Sequence, residues 1–462
     1  MTTFLNRKLC WIAVLILPAI SVFPQNKKYS LPSLTDSARQ HLPALLEKQA
    51  LLQAASATVT DTRHSFLPRL KFNDQVNIGS DNSMAGSYFT YGIIPSTSAG
   101  VRDENNLQAA AGNIGILYGE YELLNFGLNN AKIKNAEAYV DLQRADLQKE
   151  EYLLASSVAR LYFTVLKNQY RLDADQQNVE RYRNIYTVIK ALTTSGINAG
   201  ADSSLAKAEL SKTIIIYNQT LGRVNQLKEQ LSFLTGIPAA RLQIDTAGHD
   251  FTHINLSLSY LGADTVNNPV IAYYKKYENI FYSNDRLIRK SYLPKILLNS
   301  AAWVRGSSIQ YNDQFKPLSA GLGYQRFNYA AGIALSYDLF NGLYRKDKLT
   351  INRFRQQAAT AQLQQQKLAI VSASNQADQA LITAEANLRE LPVELRSAES
   401  TFRQKLAQYK AGIISLIDLT NASFVLYRSQ TDFIEVLSDW YLAQVDKAVT
   451  TGTLTQFINS IN

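Results

Sequence analysis

The 462-residue sequence has one cysteine, two methionines and four histidines. A single thiol excludes a disulfide framework. Cys10 also precedes most of the apolar run around it, whereas an acylated cysteine would follow such a run. His249 and His253 in "HDFTH" are the one metal-like spacing, and no third ligand accompanies them. Gly112-x-x-Gly115 and Gly321-x-Gly323 stand in strand and loop contexts with no phosphate-binding helix after them. No nucleophile-elbow motif occurs. These absences predict a protein that is not an enzyme and needs no cofactor or metal. The formal charge of +9 is spread over interleaved Lys, Arg, Glu and Asp, without a basic block, so no nucleic-acid partner is expected. No segment beyond the N-terminus reaches the length of about 18 uninterrupted apolar residues that a spanning helix needs. If the protein enters a membrane, it must do so as a closed β-barrel.

What is present begins with "MTTFLNRKLCWIAVLILPAISVFPQNKKYS". Arg7 and Lys8 precede an apolar run from Leu9 to Phe23, the pattern of a secretory signal peptide over residues 1–25. A retained N-terminal anchor is the alternative.

The rest of the chain is written twice. "SGINAGADSSLAKAEL" (195–210) and "AGIISLIDLTNASFVL" (411–426) match at Gly196/Gly412, Ile197/Ile413, Asp202/Asp418, Ala206/Ala422 and Leu210/Leu426, always 216 residues apart. The same offset relates "YELLNFG" to "YDLFNG" and Thr235-Gly236 to Thr451-Gly452. Leu67-Pro68 and Leu293-Pro294 lie 226 apart, so the first copy carries about ten extra residues, which belong in a loop. The copies span 26–236 and 268–452, with a linker at 237–267 and a tail at 453–462.

Each copy reads as a helix (Asp36–His64 or Asn268–Ser291), a strand pair (within 66–124 or 294–340), a helical stretch of about 70 residues, a turn and a return helix. Leu381, Ala384, Leu388, Leu391, Leu395, Ala398 and Phe402 step by threes and fours, and Val165, Leu172, Val179 and Tyr186 recur every seven. This is the seam of side-by-side helices, each on the order of 100 Å long. Pro392 interrupts the second stripe and predicts a kink or break.

The strand runs alternate. In "RLKFNDQVNIG" Leu70, Phe72, Val76 and Ile78 share one face, which Asp74 spoils, and the second run, 107–124, alternates poorly; a bulge in these runs is one reading of both. In "YAAGIALSYDLF" Tyr329, Ile333, Leu335, Tyr337 and Leu339 alternate with small or polar residues. Runs of about ten residues, apolar outside and polar inside, fit outer-membrane strands, with Trp303, Tyr329 and Tyr337 as interfacial girdle candidates. A soluble antiparallel sheet alternates equally well. Four membrane strands are too few to close a barrel, so several chains would have to share one.

"FLPRL" and "YLPKI" before the strands, "LLNFGL" and "LFNGL" after them, "YKAGIISLIDLTNA" at the second turn and "FLTGIP" closing a helix resemble the TolC-like outer-membrane efflux family over about residues 30–455. That resemblance implies a mostly α fold with a β-barrel portion, in which tandem coiled-coil helices and four transmembrane strands per chain close as a homotrimer. It implies a barrel in outer-membrane lipid, a helical tunnel into the periplasm, and an equatorial belt from linker and tail. The turns at Gly196, Ile197, Gly412 and Ile413 would be the periplasmic tip, where an adaptor (membrane fusion) protein docks. Asp202, Tyr409, Asp418 and Asn421 become aperture candidates. The family's tyrosine and first aspartate are kept as Tyr409 and Asp418, while Ile414 and Asn421 replace its basic residue and second aspartate. "SLID" is also a capping box, with Ser415 as N-cap and Asp418 at the third helical position. The implied function is a passive exit duct for small molecules delivered by an inner-membrane pump. Export of polypeptides with a type I transporter, or a periplasmic helical scaffold, are the alternatives.

Overall fold

A computed structural model of the chain describes residues 28–82, 103–196, 199–244, 267–311 and 313–461. The signal-peptide segment, Ile197 and the His249/His253 pair lie outside the described residues. The first copy comprises α1 (Leu31–His41), α2 (Pro43–His64), β2 (Arg69–Gly79), β3 (Ala110–Leu124), α3 (Leu128–Thr194) and α4 (Gly200–Thr235). The second comprises α5 (Pro269–Ser291), β5 (Lys295–Ser307), β6 (Arg326–Ser336), α6 (Asn341–Lys410) and α7 (Leu416–Thr451). Short β1 (Lys28–Tyr29) and β4 (Gln243–Ile244) pair in parallel, and α8 (Leu454–Ser460) ends the described chain. The single helix expected over Asp36–His64 is two. Pro43 forces Leu42 out of the helical region (φ −69°, ψ 117°), and the second helix restarts with proline in its first turn.

α3 and α6 contain 67 and 70 residues, each on the order of 100 Å at ~1.5 Å per residue. The predicted seam is the packed one. Ala384, Leu388, Leu391 and Ala398 of α6 are buried against α7, and Val165 and Val179 of α3 are buried as well. The break expected at Pro392 is absent: α6 runs through it without interruption. A proline inside a helix removes one backbone hydrogen bond and crowds the preceding turn, at a cost of about 3 kcal/mol. Leu388 and Leu391 before the proline and Ala398 after it are buried, and the leucines recover that, at about 1.5–3 kcal/mol for each side chain taken out of water.

The elements form one layer with the same lateral order from end to end. The sheet order is β2-β3-β5-β6, all antiparallel, so the two copies join through β3 and β5. Beneath it α2 packs on α3, α3 on α5 and α5 on α6. Towards the turns α4 packs on α3, α3 on α7 and α7 on α6. Among the described residues both edges of this layer are unpaired. One consists of β2, α2 and α4; the other of β6 and α6.

The main core lies midway along α3. Tyr162, Phe163, Val165 and Leu166 pack there with Trp440, Phe457, Leu31 and Leu34, bringing α1, α7, α8 and the β1–β4 pair onto the long helices. Phe163 stacks on Tyr441 with centroids 4.8 Å apart, and Tyr152 Oη donates to the carbonyls of Ala448 (3.1 Å) and Val449 (2.8 Å). The linker and the C-terminal segment thus both supply packing at mid-length.

α4 and α7 end on repeat-related glycines in the left-handed region, Gly236 (φ 71°) and Gly452 (φ 78°). A Cβ on Gly236 would come 2.3 Å from the His41 ring, whereas one on Gly452 would have ordinary contacts at 3.4 Å. Alanine at either position should destabilise by about 1–2 kcal/mol from backbone strain. Gly236→Ala should lower the thermal midpoint further than Gly452→Ala, and adding His41→Ala should remove most of that difference, as read by circular dichroism.

Candidate functional site

The turns at the end of the two long hairpins have the same physical construction. α6 ends in a Schellman arrangement: Gly412 (φ 74°) donates its N–H to Tyr409 O at 3.0 Å, and Ile413 N–H reaches back to Gln408 O at 2.9 Å. Gly196 (φ 76°) repeats the first of these bonds to Thr193 O at 3.0 Å. Both positions need glycine because a side chain is strained at such φ values. Ile413 projects at 72% exposure, an apolar residue left uncovered by the described residues.

Asp202 and Asp418 occupy equivalent places in the first turn of the return helices α4 and α7. Asp418 completes the predicted capping box. Ser415 donates to its Oδ2 from both N (3.1 Å) and Oγ (2.7 Å), and Asp418 N donates back to Ser415 Oγ at 3.3 Å. Those Ser415 bonds hold the Asp418 carboxyl below the usual carboxylate range. Ala199 precedes the first turn of α4 and has no capping side chain, so Asp202 stands there without a capping box, where the positive end of α4 favours it. Asn421 lies exposed one turn beyond Asp418. Tyr409 is half-buried in a small apolar cluster with Ile185, Ile189, Ala206, Leu416 and Leu419, which ties the two hairpins together just behind the turns.

A group that the heptad reading missed lies further up the helices. Asp175 of α3 is 1% exposed and accepts hydrogen bonds from Thr220 Oγ1 of α4 and Tyr427 Oη of α7, both at 2.5 Å. Burial, then Asp175 itself, pushes the Tyr427 phenol well above its ordinary range. Next along α3, Arg181 Nη2 donates to Gln430 Oε1 at 3.2 Å and its guanidinium lies over the Phe402 ring. Asp175, Asn178, Tyr182, Ile185 and Ile189 step by threes and fours, so an acid on a seam stripe was the available signal.

The sheet has two chemically distinct faces, fixed by its register. Leu70, Phe72, Val76 and Ile78 of β2, Leu117 of β3, Val304 of β5, and Phe327, Tyr329, Ile333 and Leu335 of β6 share one face. Tyr329 is 80% exposed there. The opposite face carries Lys71, Asn73, Gln75, Tyr118, Glu120, Asn299, Asn328 and Trp303. Trp303 therefore departs from the girdle expectation, because its pairing with Ile116 and Asn328 turns it to the polar side. Tyr337 is exposed just beyond the end of β6. Asp74 leaves the pairing of β2 with β3 unbroken, and the register shift lies at Glu122/Leu124, within the run 107–124 that alternates poorly. Tyr324 Oη donates to Asp74 Oδ2 at 2.8 Å and lies across Gly115, where a Cβ would be 3.1 Å from the phenol oxygen. The acid is thus satisfied in place.

Ser415→Ala should remove the cap of α7 and speed amide exchange over residues 416–419 by about fivefold. Because the Asp418 pKa is lowered, its contribution is complete above the ordinary carboxylate value of 3.8 and fades as pH falls through the lowered one. Protection at the start of α7, measured as the exchange rate relative to that of an unstructured peptide at the same pH, should therefore fall on acidification in the wild type, and less so in Ser415→Ala.

Comparison with known proteins agrees with this architecture. The sequence matches the outer membrane efflux protein family over residues 34–237 and 286–450. No functionally curated protein matches it in sequence. Among solved structures, the outer-membrane channel OprN superposes with a TM-score of 0.73 at 18% identity, covering 92% of this chain and 90% of that one. VceC, an outer membrane protein of Vibrio cholerae, gives 0.72 at 16% identity, covering 91% and 96%. The CmeC outer membrane channel of Campylobacter jejuni gives 0.72 at 15%, covering 93% and 89%. The doubled hairpins, the four-stranded sheet and the family match over most of the sequence lead to one conclusion: this chain belongs to the outer membrane efflux protein family.

Proposed function

We propose that the protein is the outer-membrane duct of a tripartite efflux system, a passive exit for small molecules handed over by an inner-membrane pump through a periplasmic adaptor. The observation that carries this reading is the open layer. Its sheet presents an apolar face and two edges unpaired among the described residues, a combination that hydrocarbon does not tolerate in a single chain. Joining the β2–α2–α4 edge of one copy to the β6–α6 edge of the next satisfies both and generates a ring. Exposed Leu46, Ile215 and Phe233 on one edge and Phe354, Leu368 and Ile382 on the other are the apolar material for that contact. Two copies would give eight strands, whose interior side chains fill. Three give twelve and an open lumen, in keeping with the trimer of the family.

In this arrangement the apolar face meets lipid, Tyr329 and Tyr337 lie on the lipid side, and Trp303 faces the channel. The repeats at 26–236 and 268–452 each contribute one helical hairpin, so six turns converge at the periplasmic end. Gly196, Ile197, Gly412 and Ile413 form the surface offered to the adaptor, and Asp202, Tyr409, Asp418 and Asn421 surround the aperture. Against a periplasmic scaffold with a soluble sheet stands the size of the exposed apolar face.

Two experiments follow. Ile333→Arg, on the lipid side, costs about 2–4 kcal/mol near mid-membrane. It should sharply reduce the detergent-resistant trimer recovered from outer membranes, while Gly332→Ser on the other face should leave the yield unchanged. Equal yields would count against the membrane assignment. In planar bilayers Asp418→Asn should lower cation preference, whereas Ser415→Ala, which keeps the charge, should not. If neither changes selectivity, Asp418 does not line the aperture.

A further inference from the structure

The C-terminal turns of α5 and the N-terminal turns of α6 enclose a cleft of ≈ 930 Å³ lined by Arg286, Arg289, Arg345, Lys346 and Arg353, with Asp285 as the one acid. Asp285 is already bound by Arg289 at 2.6 Å. The other four cations have no ion pair among the described residues. Asp347 lies two residues from both Arg345 and Leu349 and so on another side of the helix. Four uncompensated positive charges converging on one cleft repel one another, and an anion would relieve that repulsion.

The position of the cleft says which anion. Arg289 lies six residues before β5 begins at Lys295, and Arg345 lies four residues into α6, just after Leu339 and Phe340 end the exposed apolar run that follows β6. The cleft therefore lies immediately below the apolar belt. Chirality says which way it opens. Ser308 N donates to Ala111 O at 2.9 Å, so the β3 residues on the apolar face direct their own N–H and C=O groups at β5. For L-residues in β3, running towards the helices, this puts β5 on the left when the apolar face is viewed with the helices below. α5 then stands to the right of α6 as α6 descends. Asn352 of α6 bonds to α5 through Asn284 and the Phe281 carbonyl. A right-handed helix moves from there to the viewer's side with the next residue, ~100° on, which is Arg353. The cleft opens on the same side as the apolar face.

We propose that this cleft binds the phosphate of an anionic phospholipid in the periplasmic leaflet, fixing the depth of the channel in the membrane. The inference rests on the reading that the sheet spans the outer membrane. A phosphate held there would be met by guanidinium groups in forked geometry, with its acyl chains lying along the apolar belt above.

The test uses the full-length protein, purified in detergent and stripped of lipid. It is titrated with phosphatidylglycerol, with phosphatidylcholine of the same acyl chains, and with inorganic phosphate, and bound molecules are counted by native mass spectrometry. Phosphatidylglycerol should be retained in preference, one per protomer. Arg345→Gln/Lys346→Gln/Arg353→Gln should weaken it by roughly thirty-fold or more and leave phosphatidylcholine unaffected; the milder Lys346→Gln should weaken it about fivefold. Equal retention of the two lipids, or no effect of either variant, overturns the proposal. Inorganic phosphate binding as tightly as phosphatidylglycerol overturns it in favour of a free anion. Bilayer conductance separates the two readings. Wild-type current with no lipid preference rejects the cleft alone, whereas no current from the wild type rejects the spanning sheet and the lipid site together.

Discussion

An unpaired backbone edge cannot face hydrocarbon, and the rest of this structure follows from that constraint. Each free N–H or C=O in a lipid environment costs several kcal/mol, so a four-stranded sheet with an apolar face is incomplete alone. The helices obey the same lateral order as the strands above them, and the open edges therefore stay on the same two sides along the full length. In the proposed ring, one heterologous contact repeated around an axis would close sheet and helical wall together. Duplication within the chain halves the number of subunits that closure needs.

Mid-length and the turn end of the molecule are held by different chemistry. At mid-length, aromatic and aliphatic packing around Trp440, Phe163 and Phe457 locks α1, α8 and both long hairpins into one body. Towards the turns the shared core shrinks to Ile185, Ile189, Ala206, Leu416 and Leu419, with polar ties such as Asp175 to Tyr427 and Arg181 to Gln430 between the hairpins. Fewer buried apolar contacts mean a smaller cost of local rearrangement. The packing between the hairpins is therefore weakest at the end that the proposed function makes the aperture. Asp175 gives the region directionality, because a buried carboxylate accepting from two different helices fixes one relative placement of α4 and α7 against α3.

Much of this was legible in the sequence. The doubled turn, its obligatory glycines, the capping box at Ser415 and Asp418, the length of α3 and α6 and the alternation of β2 and β6 all arise from interactions within a few residues. Local patterns encode these directly: a left-handed glycine, a side-chain cap, a 3.5-residue stripe, a two-residue alternation. Other features depended on partners distant in sequence. Leucines across the helix interface carry α6 through Pro392, and the Tyr324 hydroxyl, 250 residues away, satisfies Asp74 without a bulge. The Pro43 break was local and readable, but periodicity on either side of it concealed it.

By itself the sequence determined that two equivalent hairpins exist, where they turn, and that their strands have a polar and an apolar side, since each of these is a short-range preference repeated in both copies. Only the tertiary structure decided that β3 joins β5, that Trp303 looks away from Tyr329, and that basic residues from α5 and α6 meet in one cleft. The reason is register: sliding one strand by a single residue exchanges its faces, and the choice is made by the sum of contacts across the sheet, which no local stretch contains.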